Sequence, residues 1–260
     1  MQKTENRAQA QAAYRIVSTL SERPGLPLLV YVAGMDGTGE LFFKQAPALA
    51  RSYRVVTFRS RERGRFTYDD LSDDVADIIR HMGEQRATIV AESFGGTVAL
   101  AFALRYPEMV ERLVIVNSFA RYRRRIRIKL GARLAAVVPF RLTWIARKTF
   151  DTIGLMIDGV TREERKQVFD ALHTVVKEGY VRRLQLIEEV DWDNRLAEIQ
   201  APILLIATKK DLLVPSIKEA HSMAAHMPNA QVKIIESAGH ACLLGNQVCL
   251  AEILTEWIDK

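Results

Sequence analysis

The sequence predicts an α/β fold, in which a mostly parallel sheet carries helices on both faces. Apolar runs rich in β-forming residues alternate with segments of helical periodicity, and this alternation is typical of parallel sheets. The runs are continuously apolar, which indicates strands buried on both faces. A length of 260 residues, with 48% hydrophobic and 26% charged residues, fits one domain of ordinary globular composition.

Six strands and five helices are predicted in order along the chain. The strands span residues 27–33, 53–58, 87–91, 113–117, 202–208 and 230–236. A seventh element at 13–20 fits a strand or a helix equally well. The helices span residues 39–50, 69–82, 94–105, 216–226 and 243–258.

The alternation of strands and helices breaks once, after the strand at 113–117. Between residues 119 and 196 the chain shows only helical patterns. We therefore expect a single domain over residues 1–260 that carries a helical cap insertion at 119–196.

A basic segment opens this insertion, from Arg121 to Lys148. The chain has 37 Lys and Arg against 31 Asp and Glu, a net charge of +6, and no acidic residue lies between Arg112 and Phe150. The segment's amphipathic pattern fits peripheral contact with an anionic membrane, a site for an acidic group of the substrate, or a cap helix with solvated arginines. Nucleic-acid binding is not expected, because aromatic interleaving and a recognised module are missing.

A cytoplasmic location is expected from the N-terminal residues and from the cysteines. The first residues, MQKTENRAQAQAAY, lack the apolar stretch of a signal peptide, and no run is long enough to span a membrane. Two cysteines, Cys242 and Cys249, are too few for a disulfide framework. They are predicted to be buried or half-buried thiols in a reducing compartment.

The motif Ala91-Glu92-Ser93-Phe94-Gly95-Gly96 lies between a buried strand and an apolar helix. This context is typical of a nucleophile elbow, a tight turn that projects the serine hydroxyl out of the sheet. The turn needs small residues two positions before and two after the serine, and Ala91 and Gly95 supply them. The alternative is that Ser93 merely caps the helix.

A serine hydroxyl needs a base, and His240 is the best candidate among five histidines. It follows the last strand in Ser237-Ala238-Gly239-His240, so it faces the same sheet edge as Ser93. The other histidines lie in helical patterns and are interpreted as surface or packing residues: His81, His173, His221 and His226.

An acid should orient the imidazole, and Asp211 is the favoured residue. It follows the strand at 202–208, whereas the preceding strand ends in Asn117, which cannot carry the charge. Asp191 and Asp193 lie in the insertion and are weaker candidates.

Two backbone N–H groups are predicted to form an oxyanion hole. One is that of Phe94, which follows the predicted nucleophile. The other is that of Met35, in the glycine-rich loop Gly34-Met35-Asp36-Gly37-Thr38-Gly39. This loop matches neither the phosphate-binding loop nor the dinucleotide fingerprint, so no nucleotide site is expected.

These motifs together resemble the α/β-hydrolase superfamily over most of the chain, from about Pro27 onward. The chain order serine, aspartate, histidine is that of the superfamily. The Gly-x-Asp-Gly-Thr-Gly loop is similar to a branch that includes bacterial carboxylesterases and plant plastid acyltransferases making phytyl esters and triacylglycerol. The resemblance implies ester chemistry without a cofactor.

Three functions remain open at this point. The favoured one is a serine hydrolase that cleaves a carboxylic ester, a small-molecule ester or acyl compound, through an acyl-enzyme on Ser93. The second is an acyltransferase that passes the same acyl group to an alcohol. The third is a non-catalytic member of the fold, which the complete Ser93, Asp211 and His240 set disfavours.

Overall fold

Seven strands form one sheet in the computed structural model, which describes residues 14–122 and 160–259. The strands are β1 Arg15–Leu20, β2 Leu28–Val32, β3 Arg54–Arg59, β4 Ala87–Glu92, β5 Val110–Val116, β6 Ile203–Thr208 and β7 Ala230–Ile235. Their spatial order is β1-β3-β2-β4-β5-β6-β7, with β1 antiparallel to β3 and the other pairs parallel. The mostly parallel sheet is confirmed, and the ambiguous element at 13–20 is a strand.

Helices cover both faces of the sheet, as predicted. They are α1 Ala46–Leu49, α2 Tyr68–His81, α3 Phe94–Arg105, α4 Arg162–His173, α5 Lys177–Glu189, α6 Ser216–Ala224 and α7 Leu250–Ile258. Successive strand residues point to opposite faces. Val30 of β2 therefore packs in the layer of α2, α3 and α6, whereas Leu29 and Tyr31 pack in the layer of α1 and α7.

Two of the predicted helices are wrong as continuous elements. The segment 39–50 forms a 3₁₀ turn at Glu40–Phe42 and the short α1. A continuous helix there would need a backbone donor at position 47, and Pro47 has none. The segment 243–258 likewise starts with a 3₁₀ turn at Cys242–Leu244, and α7 begins only at Leu250 because Gly245 has extended backbone.

The irregular backbone before α7 is held by one buried side chain, Gln45. Its Nε2 donates to the carbonyls of Leu243 (2.7 Å) and Val248 (3.0 Å), and its Oε1 accepts from the N–H of Leu250 (2.9 Å). Leu243 is in a 3₁₀ turn, Val248 is in no regular element and Leu250 is the first residue of α7, so these groups have no partner within a helix or strand and a side chain has to satisfy them. Gln45 thereby fixes the backbone that follows His240.

The described chain between β5 and β6 contains α4, α5 and a 3₁₀ segment at Asp193–Glu198. The rest of the predicted cap lies outside the described residues, as does the basic segment 121–148 apart from its first two residues. The cap assignment therefore stays a prediction. Within the described ranges, each helix is too short or too polar to cross a membrane.

The carboxyl ends of the parallel strands meet at one edge of the sheet. The chain leaves β2 toward β3 on one side and returns to β4 on the other, so the strand order switches direction beside β2. Crevices of open α/β sheets form at such switch points. The loops after β2, β4, β5, β6 and β7 all arrive there.

We predict that Gln45→Leu lowers the free energy of unfolding by at least about 2 kcal/mol. Leucine has a similar volume but leaves two carbonyls and one N–H without their partner, and each such group costs about 1–3 kcal/mol. Urea denaturation measures the change. Gln185→Leu on the exposed face of α5 is the matched control, expected to stay within about 0.5 kcal/mol of wild type. An equally small change for Gln45→Leu would contradict the assigned role.

Candidate active site

Ser93 occupies a tight turn between β4 and α3. Its backbone has φ 53° and ψ −120°, a conformation that non-glycine residues rarely adopt. The turn is held by the Ser93 N–H, which donates to Val116 at 2.9 Å, and by the Ser118 hydroxyl, which donates to the Ser93 carbonyl at 2.6 Å. The side chain of Ser93 makes no capping bond to α3, so the capping alternative is not what is observed.

Gly95 lets the turn sit close to the sheet. A Cβ at this position would clash with the carbonyl oxygens of Val32 and Ala33, at the end of β2. The small residue expected two positions after Ser93 is therefore required by backbone contact. Ala91, two positions before it, is completely buried in the sheet.

His240 lies within hydrogen-bond distance of Ser93. Its Nε2 is 2.9 Å from Ser93 Oγ, and its Nδ1 is 2.8 Å from Asp211 Oδ2. A carboxylate can only accept, so Nδ1 carries the proton and donates it to Asp211. Nε2 is then the acceptor for the serine hydroxyl. This is the arrangement in which a histidine activates a hydroxyl nucleophile.

Asp211 is fixed by the backbone of its own loop. Its Oδ1 accepts from the N–H groups of Leu213 and Val214, each at 2.9 Å, which leaves Oδ2 directed at His240. Burial by itself would lower the pKa of His240. The hydrogen bond and charge of Asp211 outweigh this effect, with a contribution from Glu92, and the pKa of His240 lies above its ordinary value.

The other histidines and acids considered from the sequence lie elsewhere. The four remaining histidines are exposed: His81, His173, His221 and His226. Asp191 pairs with Arg121 across an isolated β-bridge, and Asp193 begins a 3₁₀ segment. Within residues 14–122 and 160–259, no cluster of three or more His, Cys, Asp or Glu is placed to hold a metal ion.

The two predicted oxyanion donors belong to the residue that follows Ser93 and to the loop after β2. Phe94 is the first residue of α3, so its N–H has no acceptor within the helix. Met35 lies in the loop after β2, and this loop passes close to the serine. A Cβ placed on Gly34 would be only 3.5 Å from the Cβ of Ser93.

Comparison with known proteins identifies the family. Residues 29–248, most of the chain, match the alpha/beta hydrolase family. The chain belongs to the alpha/beta hydrolase family. The turn at Ser93 and its hydrogen-bonded neighbours lie at the sheet edge where the loops after the parallel strands meet.

Relatives of this alpha/beta hydrolase are themselves named as hydrolases. A protein of Serratia proteamaculans (strain 568) named "Putative carbamate hydrolase RutD" is 28% identical over 251 residues, which cover 92% of this chain and 93% of that protein. A protein of the same name from Cronobacter sakazakii is 28% identical over 237 residues, covering 84% and 85%. By family and by relatives, the protein is a hydrolase.

Several solved structures share the fold of this chain. The enol-lactonase from Burkholderia xenovorans LB400 has a TM-score of 0.78 at 22% identity, covering 95% of this chain and 96% of that one. An esterase from Exiguobacterium antarcticum has a TM-score of 0.81 at 16% identity, again covering 95% and 96%. At these identities the likeness shows the fold alone.

The sequence analysis of this alpha/beta hydrolase missed the role of Asn117. Asn117 has φ 47° and is almost completely buried. Its Nδ2 donates to the carbonyls of His240 (2.7 Å) and Gly239 (3.3 Å), and its Oδ1 accepts from both the N–H and the hydroxyl of Thr208. It joins the loops after β5, β6 and β7. The available sequence signal was an asparagine at a strand end, because asparagine adopts the left-handed backbone region more readily than most residues.

Glu92 is the second group that sequence reasoning missed. Its Oε2 accepts from the hydroxyl of Tyr31 at 3.0 Å. Desolvation raises the pKa of Glu92 from its ordinary value of 4.5 to about 7. The charge of His240 and the Tyr31 bond oppose this shift, while Asp36 and Asp211 add to it. The only sequence signal was its position next to Ser93.

We predict that Glu92→Gln becomes more stable relative to wild type as the pH rises from about 5 to 8. The raised pKa means that the native state binds the Glu92 proton more tightly than the unfolded state does. The resulting stabilisation is fully present below pH 4.5 and is lost as the pH rises through about 7. The side chain of glutamine is neutral at every pH, so Glu92→Gln does not lose stability in this way as the pH rises.

Urea denaturation at several pH values measures this difference in the free energy of unfolding. Glu252→Gln, which removes an exposed carboxyl from α7, controls for the loss of one negative charge. A stability difference between Glu92→Gln and wild type that stays constant over the range would show that Glu92 is not held as the neutral acid.

Proposed function

We propose that the protein is a serine hydrolase that cleaves a carboxylic ester through an acyl-enzyme on Ser93. The observation that carries this proposal is the hydrogen-bonded chain from Ser93 Oγ to His240 Nε2 (2.9 Å) and from His240 Nδ1 to Asp211 Oδ2 (2.8 Å). Membership of the alpha/beta hydrolase family supports it.

In the first half of the proposed reaction, Ser93 Oγ attacks the carbonyl carbon of the ester. His240 Nε2 accepts the hydroxyl proton as the bond forms. The imidazole becomes positively charged, and Asp211 stabilises this charge while it holds the ring orientation. The side chain of Asp211 is buried, and its proposed role is electrostatic, with no part in the proton transfer.

The tetrahedral intermediate carries a negative charge on the former carbonyl oxygen. The N–H groups of Met35 and Phe94 are the proposed donors to this oxygen, and fixed donors of this kind stabilise the charge without reorganisation. Collapse of the intermediate breaks the ester C–O bond. His240 then protonates the leaving alcohol, and the acyl group remains on Ser93.

Water completes the proposed cycle. His240, neutral again, takes a proton from a water molecule, whose oxygen attacks the acyl carbon. A second tetrahedral intermediate collapses with return of the proton to Ser93 Oγ and release of the carboxylic acid. An alcohol in place of water would give transfer, so the acceptor decides between hydrolase and acyltransferase.

A carbamate is the second candidate substrate, and the names of the sequence relatives favour it. A carbamate presents the same carbonyl carbon to Ser93 and needs the same oxyanion donors. It differs in a nitrogen attached to that carbon, which reduces its electrophilicity. The same residues are therefore proposed for both substrates.

We predict that Ser93→Ala abolishes turnover and that His240→Ala is nearly as severe, because triad residues act as a unit. Asp211→Asn is expected to lower kcat by about 10⁴-fold. Ester hydrolysis and Ser93-specific labelling by a fluorophosphonate, located by peptide mass spectrometry, measure these losses. Ser52→Ala, an exposed serine before β3, is the matched control. Near-wild-type turnover by pure Ser93→Ala would contradict the proposed nucleophile.

The substrate class is tested with p-nitrophenyl esters of increasing chain length and with carbamates that have the same leaving group. We expect faster release of p-nitrophenol from an ester than from its matched carbamate, and an acid rather than a new ester when a long-chain alcohol is present. Faster carbamate cleavage would favour the second candidate. A mostly transesterified product in dilute aqueous alcohol would make the protein an acyltransferase.

A further inference from the structure

Arg183 of α5 is the largest fully buried side chain among the described residues. Burying a guanidinium is costly unless its donors are paired. All three of its nitrogens donate to backbone carbonyls at 3.0 Å: Nε to Met35, one terminal nitrogen to Asp36 and the other to Arg61. Its hydrogen-bond partners are thus carbonyl groups, two of them consecutive in the loop after β2.

The loop also fits the guanidinium by shape. Gly37 has φ 65°, and a Cβ there would lie 2.6 Å from the central carbon of the Arg183 guanidinium. Only glycine leaves room for the cation against the loop backbone. Shape and hydrogen bonding therefore point to the same placement of Arg183.

Three further bonds dock α5 against residues 64–68. Glu178 accepts from the N–H of Gly64 at 2.7 Å, and Arg182 donates to the carbonyl of Phe66 at 2.7 Å. The hydroxyl of Tyr68 also donates to the carbonyl of Leu186 at 3.2 Å. The helix is thereby held in place, and Arg183 reaches from it to the loop after β2.

We propose that Arg183 is a positioning residue for the oxyanion hole, which fixes the two peptide groups that follow the Met35 N–H. This inference rests on the proposed function, because it assigns the Met35 N–H to the oxyanion. The guanidinium is planar and rigid, so donating to two successive carbonyls fixes the orientation of both peptide groups. The geometry of the hole then depends on a helix that contributes no group to the reaction itself.

The effect should fall on the rate and not on substrate binding. A donor misplaced by about 1 Å can lower the rate about 100-fold. The oxyanion forms only in the transition state, so kcat and kcat/KM should fall together while KM stays close to wild type. Lysine carries the charge but lacks the planar set of donors of a guanidinium, so the rate of Arg183→Lys should be as low as that of Arg183→Ala.

The experiment compares Arg183→Ala and Arg183→Lys with Arg182→Ala, the neighbouring arginine of α5, which binds Phe66 instead of the loop. Steady-state kinetics with a p-nitrophenyl ester give kcat and KM. Hydrogen exchange of the peptide covering residues 34–39 reports loop order without relying on turnover. Millimolar guanidinium is added to each variant, with sodium chloride at equal ionic strength as the control.

We expect kcat to fall about 100-fold in both Arg183 variants, faster exchange at 34–39, and partial rescue of Arg183→Ala by guanidinium. Arg182→Ala leaves the bonds of Glu178 and Leu186 that dock α5, so it should keep kcat and loop exchange. If Arg183→Ala does not fold, Arg183→Lys decides by the same two readouts.

Wild-type exchange at 34–39 in Arg183→Lys or Arg183→Ala would overturn the inference. So would a raised KM at unchanged kcat, which would place Arg183 in substrate binding, or an equal loss in Arg182→Ala, which would reduce the effect to docking of α5. Failure of the wild-type protein to cleave any ester or carbamate would contradict the proposed function instead, and loop exchange would still decide whether Arg183 fixes the loop.

Discussion

The turn at Ser93 is the constraint on which the rest of the site depends. A serine in this backbone conformation costs about 1–3 kcal/mol, and the surrounding structure has to hold it there. Val116 at the end of β5 and Ser118 in the loop after it bind its backbone, and Gly95 allows α3 to rest against the end of β2. Because the turn is held by both neighbouring strands, the loops after β2, β5 and β7 have little freedom in where they can lie.

The sequence predicts those parts of the molecule that local patterns encode. Continuous apolar strands, the elbow motif and a histidine after the last strand each have a local signature, and the sheet topology brings Ser93, Asp211 and His240 together. The antiparallel pairing of β1 and the 3₁₀ turns before α1 and α7 have no such local signature. Their conformation is set by partners distant in sequence, such as Gln45, which is bonded about 200 positions away. The part of the predicted cap at 123–159 lies outside the described residues.

Three buried polar side chains share one function in the site region. Gln45, Asn117 and Arg183 all bond to backbone groups of loops, which have no regular secondary structure to satisfy them. Such residues cannot be predicted from periodicity or from a short motif, because each is a single polar residue in an otherwise apolar or helical stretch of sequence. Their importance appears only when the loops they join are seen together. Binding sites are commonly made of loops, so rigid side chains of this kind are what allow loops to hold a defined geometry.

Asn117 also constrains where a carboxylate can stand opposite His240. Its position, at the end of β5, is one at which an aspartate could stand opposite the histidine loop. Here its amide donates to two carbonyls of that loop, and its oxygen accepts from Thr208. An aspartate would set lone pairs against those carbonyls, so moving the carboxylate that His240 contacts from position 211 to this strand would require changes in both loops. A single Asn117→Asp change would therefore leave the carbonyls of Gly239 and His240 without their amide donor, and the loops after β5 and β7 would lose the bonds that join them.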